Sequence, residues 1–427
     1  MRVLRIYHAG RDSAHRARER ALAALGIELT LVVPSSWPEG GAQAQLSDEP
    51  FEIVELDVSR PGDVNRHRYA DSSILSKLVA SRHPDVLDLH EEPVSLVARQ
   101  WLRSAGAVPV TMYTAQNVDK RFPPPFAQYE TAAYRRVDGL YPCSRQAAAV
   151  SRGKGFEGLI EVVPLGIDST YAPGQQAADV PEVRLGLVGR LVPEKGVEDA
   201  IRVLAALAQN RPARLLVIGE GPEEAPARAL AGRLGLAAAV DFLPWQGEAE
   251  LARLYRDLHV VLVPSRATDT WVEQFGRIIV EGQASGAVVA GYRSGAIPEI
   301  GGEAAVLVSE GDVDSLATGV RALLDDPERY QDLRRSGIAW AARATWAAVA
   351  AQQVDVYRRV ASGETRRTRL YRAGERRRRA AEEEFGPAAT LVGGARRPFA
   401  LPVLRRDTAA TRLMGGVTDL AMRAIGR

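Results

Sequence analysis

Two cations in the second half of the sequence stand where a phosphate group could bind. Arg190 and Lys195 lie between a predicted strand that ends at Gly189 and a predicted helix that starts near Gly196. Backbone N–H groups and the helix dipole stabilise an anion at such a helix N-terminus. A guanidinium fork and an ammonium point charge both suit phosphate oxygens. The alternative for this stretch alone is a pair of solvated loop cations, because short motifs often match by chance.

Two glutamates with Glu-x7-Glu spacing follow another predicted strand, which ends at Pro264. Glu273 precedes a helix that is predicted to begin at Gly276, where the absence of a side chain lets the backbone approach a ligand closely. Glu281 lies about one turn inside that helix. Because carboxylates accept hydrogen bonds from hydroxyls, the pair suits a sugar or a ribose. The alternative is one surface glutamate and one on a helix face, without a ligand.

Strands and helices alternate along the chain and must bring these residues together. In the first half we predict strands at Val3–His8, Leu29–Pro34, Val86–His90, Val108–Thr114, Gly139–Pro142 and Ile160–Pro164, and helices that include Ser13–Leu25, Val94–Ala105 and Phe126–Val137. In the second half we predict strands at Val183–Gly189, Arg214–Gly219, Val240–Leu243, Val260–Pro264, Val288–Gly291 and Ala305–Val308, and helices at Gly196–Ala208, Glu248–Arg256, Arg277–Ser285 and Val313–Leu324. This alternation predicts an α/β protein with two Rossmann-like, doubly wound parallel-sheet domains. Ligands of such sheets bind at the carboxyl ends of the strands, so we expect the site in the cleft between the domains.

A polar segment with Pro and Gly near residues 166–180 separates the two halves of the 427-residue chain. We therefore predict an N-terminal, acceptor-binding domain over residues 1–168 and a C-terminal, donor-binding domain over residues 169–345. A helix is predicted over residues 346–362 and a basic, partly flexible tail over residues 363–427. The length and a hydrophobic content of 46% fit two cores plus extra segments.

The composition argues against several classes of protein. A formal net charge of only +2 gives no global field that would attract nucleic acid. The single cysteine, Cys143, excludes an intramolecular disulfide and fits a reducing compartment. The first residues resemble a strand more than a signal peptide, and no apolar run reaches the roughly 18 residues of a membrane span. We therefore expect a cytoplasmic protein. The six histidines lack metal-ligand spacing, so we expect neither a metal nor a cofactor.

Several motifs, in order along the chain, make the sequence similar to glycosyltransferase family 4, which has the GT-B fold. The similarity runs over most of Met1–Val360. The segments that carry it are Val163–Asp168, Gly189-Arg190 with Lys195-Gly196, Gly219–Pro222, Glu273–Gly286 and Ile297–Glu299. The resemblance implies two Rossmann-like domains that face each other across a cleft, with the C-terminal helix crossing back to pack on the N-terminal domain. It also implies a retaining hexosyltransferase that needs no metal.

The resemblance assigns roles to the residues of the second half. Arg190 and Lys195 would hold the donor diphosphate and stabilise it as the leaving group. Glu273 would contact the transferred sugar, and Glu281 would accept hydrogen bonds from the ribose hydroxyls. Further donor-binding positions are Gly189, Phe242, Leu243, Phe275, Gly276 and Arg277, together with Gly10 in the first domain.

The first domain departs from the family pattern at a position near the donor sugar. Family members often carry His-Asn there, and this chain has Gln116-Asn117. A glutamine can hydrogen-bond a sugar hydroxyl but cannot act as a titrating base. The segment His90-Glu91-Glu92, together with Asn117, would recognise the acceptor, which could be a glycan, a lipid-linked sugar or a small molecule. For this segment, a carboxylate pair bound to a nearby arginine is an equal alternative.

The segment from Glu364 to Arg427 has a composition of its own, with 15 arginines and 7 acidic residues. Its basic part could contact anionic lipid headgroups, which would place the enzyme peripherally at the inner face of a membrane. The alternative is a solvated helix, because Glu382–Glu384 follow the arginines and could pair with them.

Two other functions are compatible with the same motifs. One is a nucleotide-sugar isomerase of related fold, which would process the donor without an acceptor. The other is a non-catalytic nucleotide-sugar-binding scaffold, which Gln116 and the basic tail would suit. The Glu-x7-Glu spacing and the Val163–Asp168 linker favour a transferase over the isomerase. The combination of Arg190, Lys195, Glu273 and Glu281 argues against a degenerate, non-catalytic site.

Overall fold

The computed structural model describes residues 1–38, 48–363 and 383–385, which form two α/β domains. The strands of the first domain are β1 (Arg2–Ile6), β2 (Glu28–Pro34), β3 (Glu52–Leu56), β4 (Val58–Ser59), β5 (Arg68–Tyr69), β6 (Val86–Leu89), β7 (Val110–Thr114), β8 (Gly139–Pro142) and β9 (Leu159–Ile160). Its helices are α1 (Ala17–Ala24), α2 (Ser72–Arg82), α3 (Leu96–Ser104), α4 (Phe126–Arg136) and α5 (Arg145–Gly153). Seven strands form a parallel sheet in the order β3-β2-β1-β6-β7-β8-β9, while β4 and β5 form a separate antiparallel pair.

The second domain repeats the plan with six parallel strands in the order β12-β11-β10-β13-β14-β15. These strands are β10 (Val183–Val188), β11 (Ala213–Ile218), β12 (Val240–Leu243), β13 (Val260–Val263), β14 (Val288–Tyr292) and β15 (Ala305–Val308). The helices of this half are α6 (Val197–Ala208), α7 (Glu224–Arg233), α8 (Glu248–Tyr255), α9 (Arg277–Ala284), α10 (Ile297–Gly301), α11 (Val313–Leu324), α12 (Pro327–Ala341) and α13 (Trp346–Ala361).

The chain reverses its direction of sheet building once in each domain. In the first sheet it moves outward from β1 to β3 and then returns to the other side of β1 with β6. In the second it moves from β10 to β12 and returns with β13. The carboxyl ends of β1 and β6, and those of β10 and β13, therefore border the crevices in which doubly wound sheets bind ligands.

Helix α13, which follows the second domain along the chain, belongs to the first domain in space. Its buried residues Ala350 and Tyr357 share a hydrophobic cluster with Val3 of β1 and Leu22 of α1. Thr345 caps the helix by accepting a hydrogen bond from the backbone N–H of Ala348. The first domain is thus built from two separated parts of the chain, which agrees with the helix that was expected to cross back.

A buried polar network fixes α13 to the first sheet. Arg5 of β1 is fully buried and forms ion pairs with Glu19 of α1 and Asp88 of β6. The same Asp88 carboxylate accepts a hydrogen bond from Tyr357 Oη at 2.8 Å and one from Thr111 Oγ1 at 2.8 Å. Breaking a buried pair leaves an uncompensated charge, so each member depends on the others.

The predicted fold class is confirmed, but several elements were not predicted. Strand β3 was not predicted because only Ile53 and Val54, between two glutamates, give it a strand pattern. Helix α7 was not predicted because Pro226 lies in its first turn. Helices α2, α5 and α12 were also missed, and α1 begins four residues later than expected, after two short 3-10 turns. Most of the arginine-rich tail lies outside the described residues. Among the helices that are described, none is long and apolar enough to cross a membrane.

Replacing Tyr357 with Phe should destabilise the protein, because Asp88 loses a donor and Gln353 loses its acceptor at 2.6 Å. We expect a loss of about 1–3 kcal/mol, seen as a lower thermal unfolding midpoint. Tyr129→Phe on the half-buried side of α4 is the matched control and should change little. Equal midpoints for Tyr357→Phe and the parent protein would contradict a role of this network in holding α13.

Candidate functional site

The crevice of the second sheet brings together a lysine and a glutamate from the two predicted motifs. Lys195 follows β10, Glu273 follows β13, and Lys195 Nζ lies 2.6 Å from Glu273 Oε2. Ser265 Oγ donates to the same oxygen at 3.1 Å. Glu273 is only 6% exposed, so these two contacts compensate the burial of its carboxylate group. An anionic ligand that enters here would meet a lysine whose position is already fixed.

Close backbone packing holds the Lys195 loop against the end of β13. Gly196 has a φ of 68°, and a Cβ there would lie 2.2 Å from the carbonyl oxygen of Pro264. Arg266 in the next loop forms a two-pronged ion pair with Asp199 of α6, with distances of 2.8 Å. These contacts therefore hold the loop after β10 and the start of α6 against the loop after β13.

A hydrogen bond from the first domain reaches the backbone of Glu273. Asn117 Nδ2 donates to the carbonyl oxygen of Glu273 at 2.9 Å, and the backbone N–H of Ala296 donates to the same oxygen at 3.0 Å. Asn117 is 2% exposed. Binding of the acceptor by Asn117 remains a prediction. In the structure its side-chain amide contacts the loop that carries Glu273, a predicted donor-binding residue.

The cationic end of the crevice is open to solvent. Arg190 is exposed two residues after β10, and Lys195 Nζ lies 5.0 Å from the centre of the Trp271 ring. Gly189 has a φ of 145°, and a Cβ on Gly219 would come within 1.9 Å of the Gly189 carbonyl oxygen. The glycines thus let the loops after β10 and β11 pack backbone to backbone and leave room above them for a ligand.

Glu281 lies in a second, more buried position on α9. One carboxylate oxygen accepts from Tyr255 Oη at 3.1 Å, and the other lies 3.2 Å from the guanidinium of Arg277. Arg277 also lies 3.9 Å from Glu248. Burial raises the pKa of Glu281, while Arg277 and the tyrosine hydroxyl lower it in part. Both carboxylate oxygens of Glu281 therefore have partners within the protein, and its contact with a ribose stays a prediction.

The remaining donor positions line the same end of the domain. Gly276 has a φ of 77° and precedes the first residue of α9, and Phe275 before it is buried. Phe242 and Leu243 end β12 and are partly buried, with the guanidinium of Arg228 4.3 Å from the Phe242 ring centre. The end of β12 and the start of α9 thus lie on the same side of the second sheet as Lys195.

The side-chain amide of Gln116 contacts two charged side chains of the first domain. In the amide orientation that satisfies both ends, it donates to Glu130 Oε1 at 3.2 Å and accepts from Lys154 Nζ at 2.5 Å. Lys154 and Glu130 also form an ion pair at 2.8 Å. Its predicted contact with the donor sugar stays a prediction, since this side chain is turned toward α4 and α5.

Glu92 and His90 lie on the facing edge of the first sheet. Glu92 accepts from Thr114 Oγ1 at 2.7 Å and from the backbone N–H of Ala115 at 2.8 Å. His90 stacks on Tyr113 with ring centres 4.1 Å apart. Burial lowers the pKa of His90 well below its usual value, so the ring is neutral at physiological pH. Both side chains remain candidates for acceptor contact.

Glu91 is paired with a histidine and not with an arginine. Its carboxylate lies within 2.9 Å of both the backbone nitrogen and Nδ1 of His8. His67 approaches the same group from the segment before β5. No sequence signal links these three residues, because they lie far apart along the chain. Gly10, which was predicted to lie near the donor, packs closely against Tyr7. A Cβ atom added to Gly10 would lie only 3.1 Å from the Tyr7 ring.

A second contact between the domains involves a motif residue without a predicted role. Glu299 follows β14, and its two carboxylate oxygens each accept from the backbone N–H of Arg145 at 2.8 Å. Arg145 is the first residue of α5, so the carboxylate faces a helix N-terminus. Burial raises the pKa of Glu299 to about 6, although the N–H groups of Arg145 and Gln146 act against that shift.

Comparison with known sequences identifies two family profiles. The profile described as glycosyl transferases group 1 matches residues 172–340, and that described as glycosyltransferase family 4 matches residues 19–171. The boundary between them falls close to the one predicted from the linker.

Similar curated proteins include a D-inositol 3-phosphate glycosyltransferase of Segniliparus rotundus, 34% identical over 219 residues, which are 48% of this chain and 48% of the relative. A 2-deoxystreptamine glucosyltransferase of Streptomyces kanamyceticus is 29% identical over 242 residues, or 53% of this chain and 61% of the relative. The chain spans about half the length of the curated relatives it matches.

Solved structures share the fold at low sequence identity. A sucrose-phosphate synthase from Thermosynechococcus elongatus has a TM-score of 0.64 at 20% identity, with 85% of this chain and 100% of that chain covered. The HepE protein of Anabaena in complex with UDP and glucose has a TM-score of 0.63 at 18% identity, with 83% and 98% covered. Both therefore support the two-domain architecture.

The Glu299 contact predicts a specific pH dependence of stability. In the unfolded chain Glu299 loses its proton near the ordinary pKa of 4.5, whereas in the folded protein it keeps the proton until about pH 6. The folded state therefore loses stability as the pH rises through this range. Glu299→Gln cannot ionise. We expect its stability relative to the parent protein to rise by on the order of 1–2 kcal/mol from pH 4.5 to neutral pH, measured as the difference in thermal midpoint. Glu303→Gln, at an exposed position nearby, should give a difference that does not vary with pH. A pH-independent difference for Glu299→Gln would show that the carboxylate titrates normally.

Proposed function

We propose that this chain, which belongs to glycosyltransferase family 4, transfers a hexose from a nucleotide-diphosphate sugar to an acceptor hydroxyl with retention of configuration. The observation that carries the proposal is the Lys195–Glu273 pair at the crevice of the second sheet. The exposed Arg190 beside the same crevice adds a second cation for a diphosphate.

The donor diphosphate would bind between the loop after β10 and the start of α9. Lys195 and Arg190 would neutralise the negative charge that builds up on the diphosphate as the bond to the sugar breaks. Charges that are already in position lower such a barrier by several kcal/mol, because they need no reorganisation during the reaction. On this proposal the leaving group is stabilised without a divalent metal ion.

The sugar and the ribose would contact the two glutamates. Glu273, fixed by Lys195, Ser265 and its backbone carbonyl, would accept hydrogen bonds from the hydroxyls of the transferred sugar. Glu281 would accept from the ribose, in competition with the guanidinium of Arg277. Retention fits attack of the acceptor from the face that the diphosphate leaves, with an oxygen of the diphosphate taking the acceptor proton.

The acceptor would lie against the first sheet, near His90 and Glu92. Two of the relatives are named for D-inositol 3-phosphate and 2-deoxystreptamine, which are small hydroxyl-bearing molecules. Small acceptors of that class are therefore the first that we would test. A thermal-shift screen with UDP, GDP, ADP and their sugars would identify the donor, because a bound ligand stabilises the folded state.

Replacing Lys195 with Ala tests the site directly. We expect turnover to fall by roughly 100- to 1,000-fold and nucleoside diphosphate binding to weaken, because the leaving group loses a preorganised charge. Product formation by mass spectrometry and binding by calorimetry measure the two effects. Lys77→Ala, an exposed lysine of α2, is the matched control. Unchanged kinetics in Lys195→Ala would place the donor elsewhere, and epimerised sugar formed by the parent protein from donor alone would support an isomerase.

Glu281→Gln separates ribose binding from a structural role. We expect nucleotide affinity to fall about tenfold or more, since a hydrogen bond to a charged acceptor is lost. The thermal midpoint should stay level or rise, because burial disfavours the ionised carboxylate. Glu303→Gln serves again as the exposed control. A lower midpoint with normal nucleotide affinity would mean that Glu281 supports the fold alone.

A further inference from the structure

The crevice of the first sheet holds a cluster of two histidines and a glutamate that the transfer reaction does not use. One ligand atom from each of His8, His67 and Glu91 lies within 4.8 Å of the other two. His8 follows β1 and Glu91 follows β6, which are neighbouring parallel strands at the point where the sheet reverses. We propose that these three residues form a binding site for a divalent transition metal ion of the Zn²⁺ type. The proposal does not depend on the function proposed above.

His67 has the orientation and, in its neutral form, the tautomer of a metal ligand. Its Nδ1 lies 3.0 Å from the backbone carbonyl oxygen of Asp63, which can only accept, so Nδ1 carries the proton. The other nitrogen, Nε2, then presents a lone pair. It is buried and has no hydrogen-bond partner among the described residues. Metal-bound histidines donate their second ring N–H to a carbonyl or carboxylate in the same way, whereas an unpaired buried acceptor costs free energy.

Glu91 supplies the negative charge. Its side chain is fully buried, and both carboxylate oxygens lie within 2.9 Å of His8 Nδ1. A metal ion bound by His8 Nδ1 and Glu91 would take the place of the contact between them. Two imidazoles and one carboxylate match zinc sites that keep a fourth position open. Imidazole nitrogens favour zinc, cobalt and nickel over magnesium and calcium, so the class of ion follows from the ligands.

Surrounding aromatic contacts hold the two imidazoles in place. The Trp37 ring centre lies 4.7 Å from that of His8 and 4.9 Å from that of His67. The backbone of His67 is fixed in turn by its N–H bond to the Asp63 carbonyl at 2.9 Å. A bound ion would therefore connect the segment before β5 to the carboxyl ends of β1 and β6, with little rearrangement of the rings.

Calorimetric titration with Zn²⁺ tests the proposal on the full-length, tag-free protein after treatment with a chelator. We expect one ion per chain. His67→Ala and Glu91→Gln should each weaken the affinity by at least about tenfold, since even the loss of an outer partner of a ligand costs that much. His83→Asn is the matched control, because His83 is exposed and its φ of 44° suits asparagine. Its affinity for Zn²⁺ should equal that of the parent protein.

Cobalt absorption spectra of the parent protein provide a test that does not depend on the folding of any variant. Co²⁺ bound by these ligands should give the intense visible bands of a four- or five-coordinate ion, and excess Zn²⁺ should remove them. Absence of stoichiometric Zn²⁺ binding, a spectrum like that of aqueous Co²⁺, or equal affinity in the parent, His67→Ala and Glu91→Gln proteins would each overturn the proposal. Loss of binding in His83→Asn alone would place the ion elsewhere on the surface.

Discussion

The backbone carbonyl of Glu273 is the point at which the two domains and the donor site meet. It accepts hydrogen bonds from Asn117 of the first domain and from Ala296 of the second, while its side chain binds Lys195. Hydrogen bonds weaken steeply as their geometry departs from the ideal. A rotation of one domain against the other would therefore disturb the position of the glutamate on which the proposed sugar contact depends. The orientation of one domain relative to the other therefore determines the geometry of the proposed donor site.

Both domains place a pair of polar side chains at the point where the sheet reverses, but the residue types differ. In each, the strands that border the reversal of the sheet end in loops whose side chains pair across the crevice. The second domain pairs a lysine with a glutamate, and the first pairs a histidine with a glutamate. Parallel strands bring residues that are distant in sequence to one edge, so such pairs arise from topology. In our proposals, the partner of each carboxylate distinguishes a phosphate site in the second domain from a metal site in the first.

How much of this could be predicted from the sequence depends on the range of each contact. The strand Val260–Val263 is a continuous apolar run, and Val183–Val188 is apolar apart from Arg184, so their ends and the positions of Lys195 and Glu273 followed from the local pattern. The contacts of Gln116 with Glu130 and Lys154 depend on how α4 and α5 pack, and α5 itself is a short, alanine-rich helix. The approach of His67 to Glu91 likewise depends on a segment without regular structure. Side-chain direction and long-range pairing are decided by tertiary packing, which spacing along the chain does not encode.

The return of α13 to the first domain has a consequence for the order in which the protein folds during synthesis. The hydroxyl that binds Asp88 belongs to Tyr357, and the cluster with Val3 and Leu22 includes Ala350. The ribosome makes these residues only after the whole of the second domain. The second domain can therefore bury its core while the nascent first domain still exposes one face of its sheet. The first domain therefore begins synthesis first but can complete its folding only after α13 has emerged.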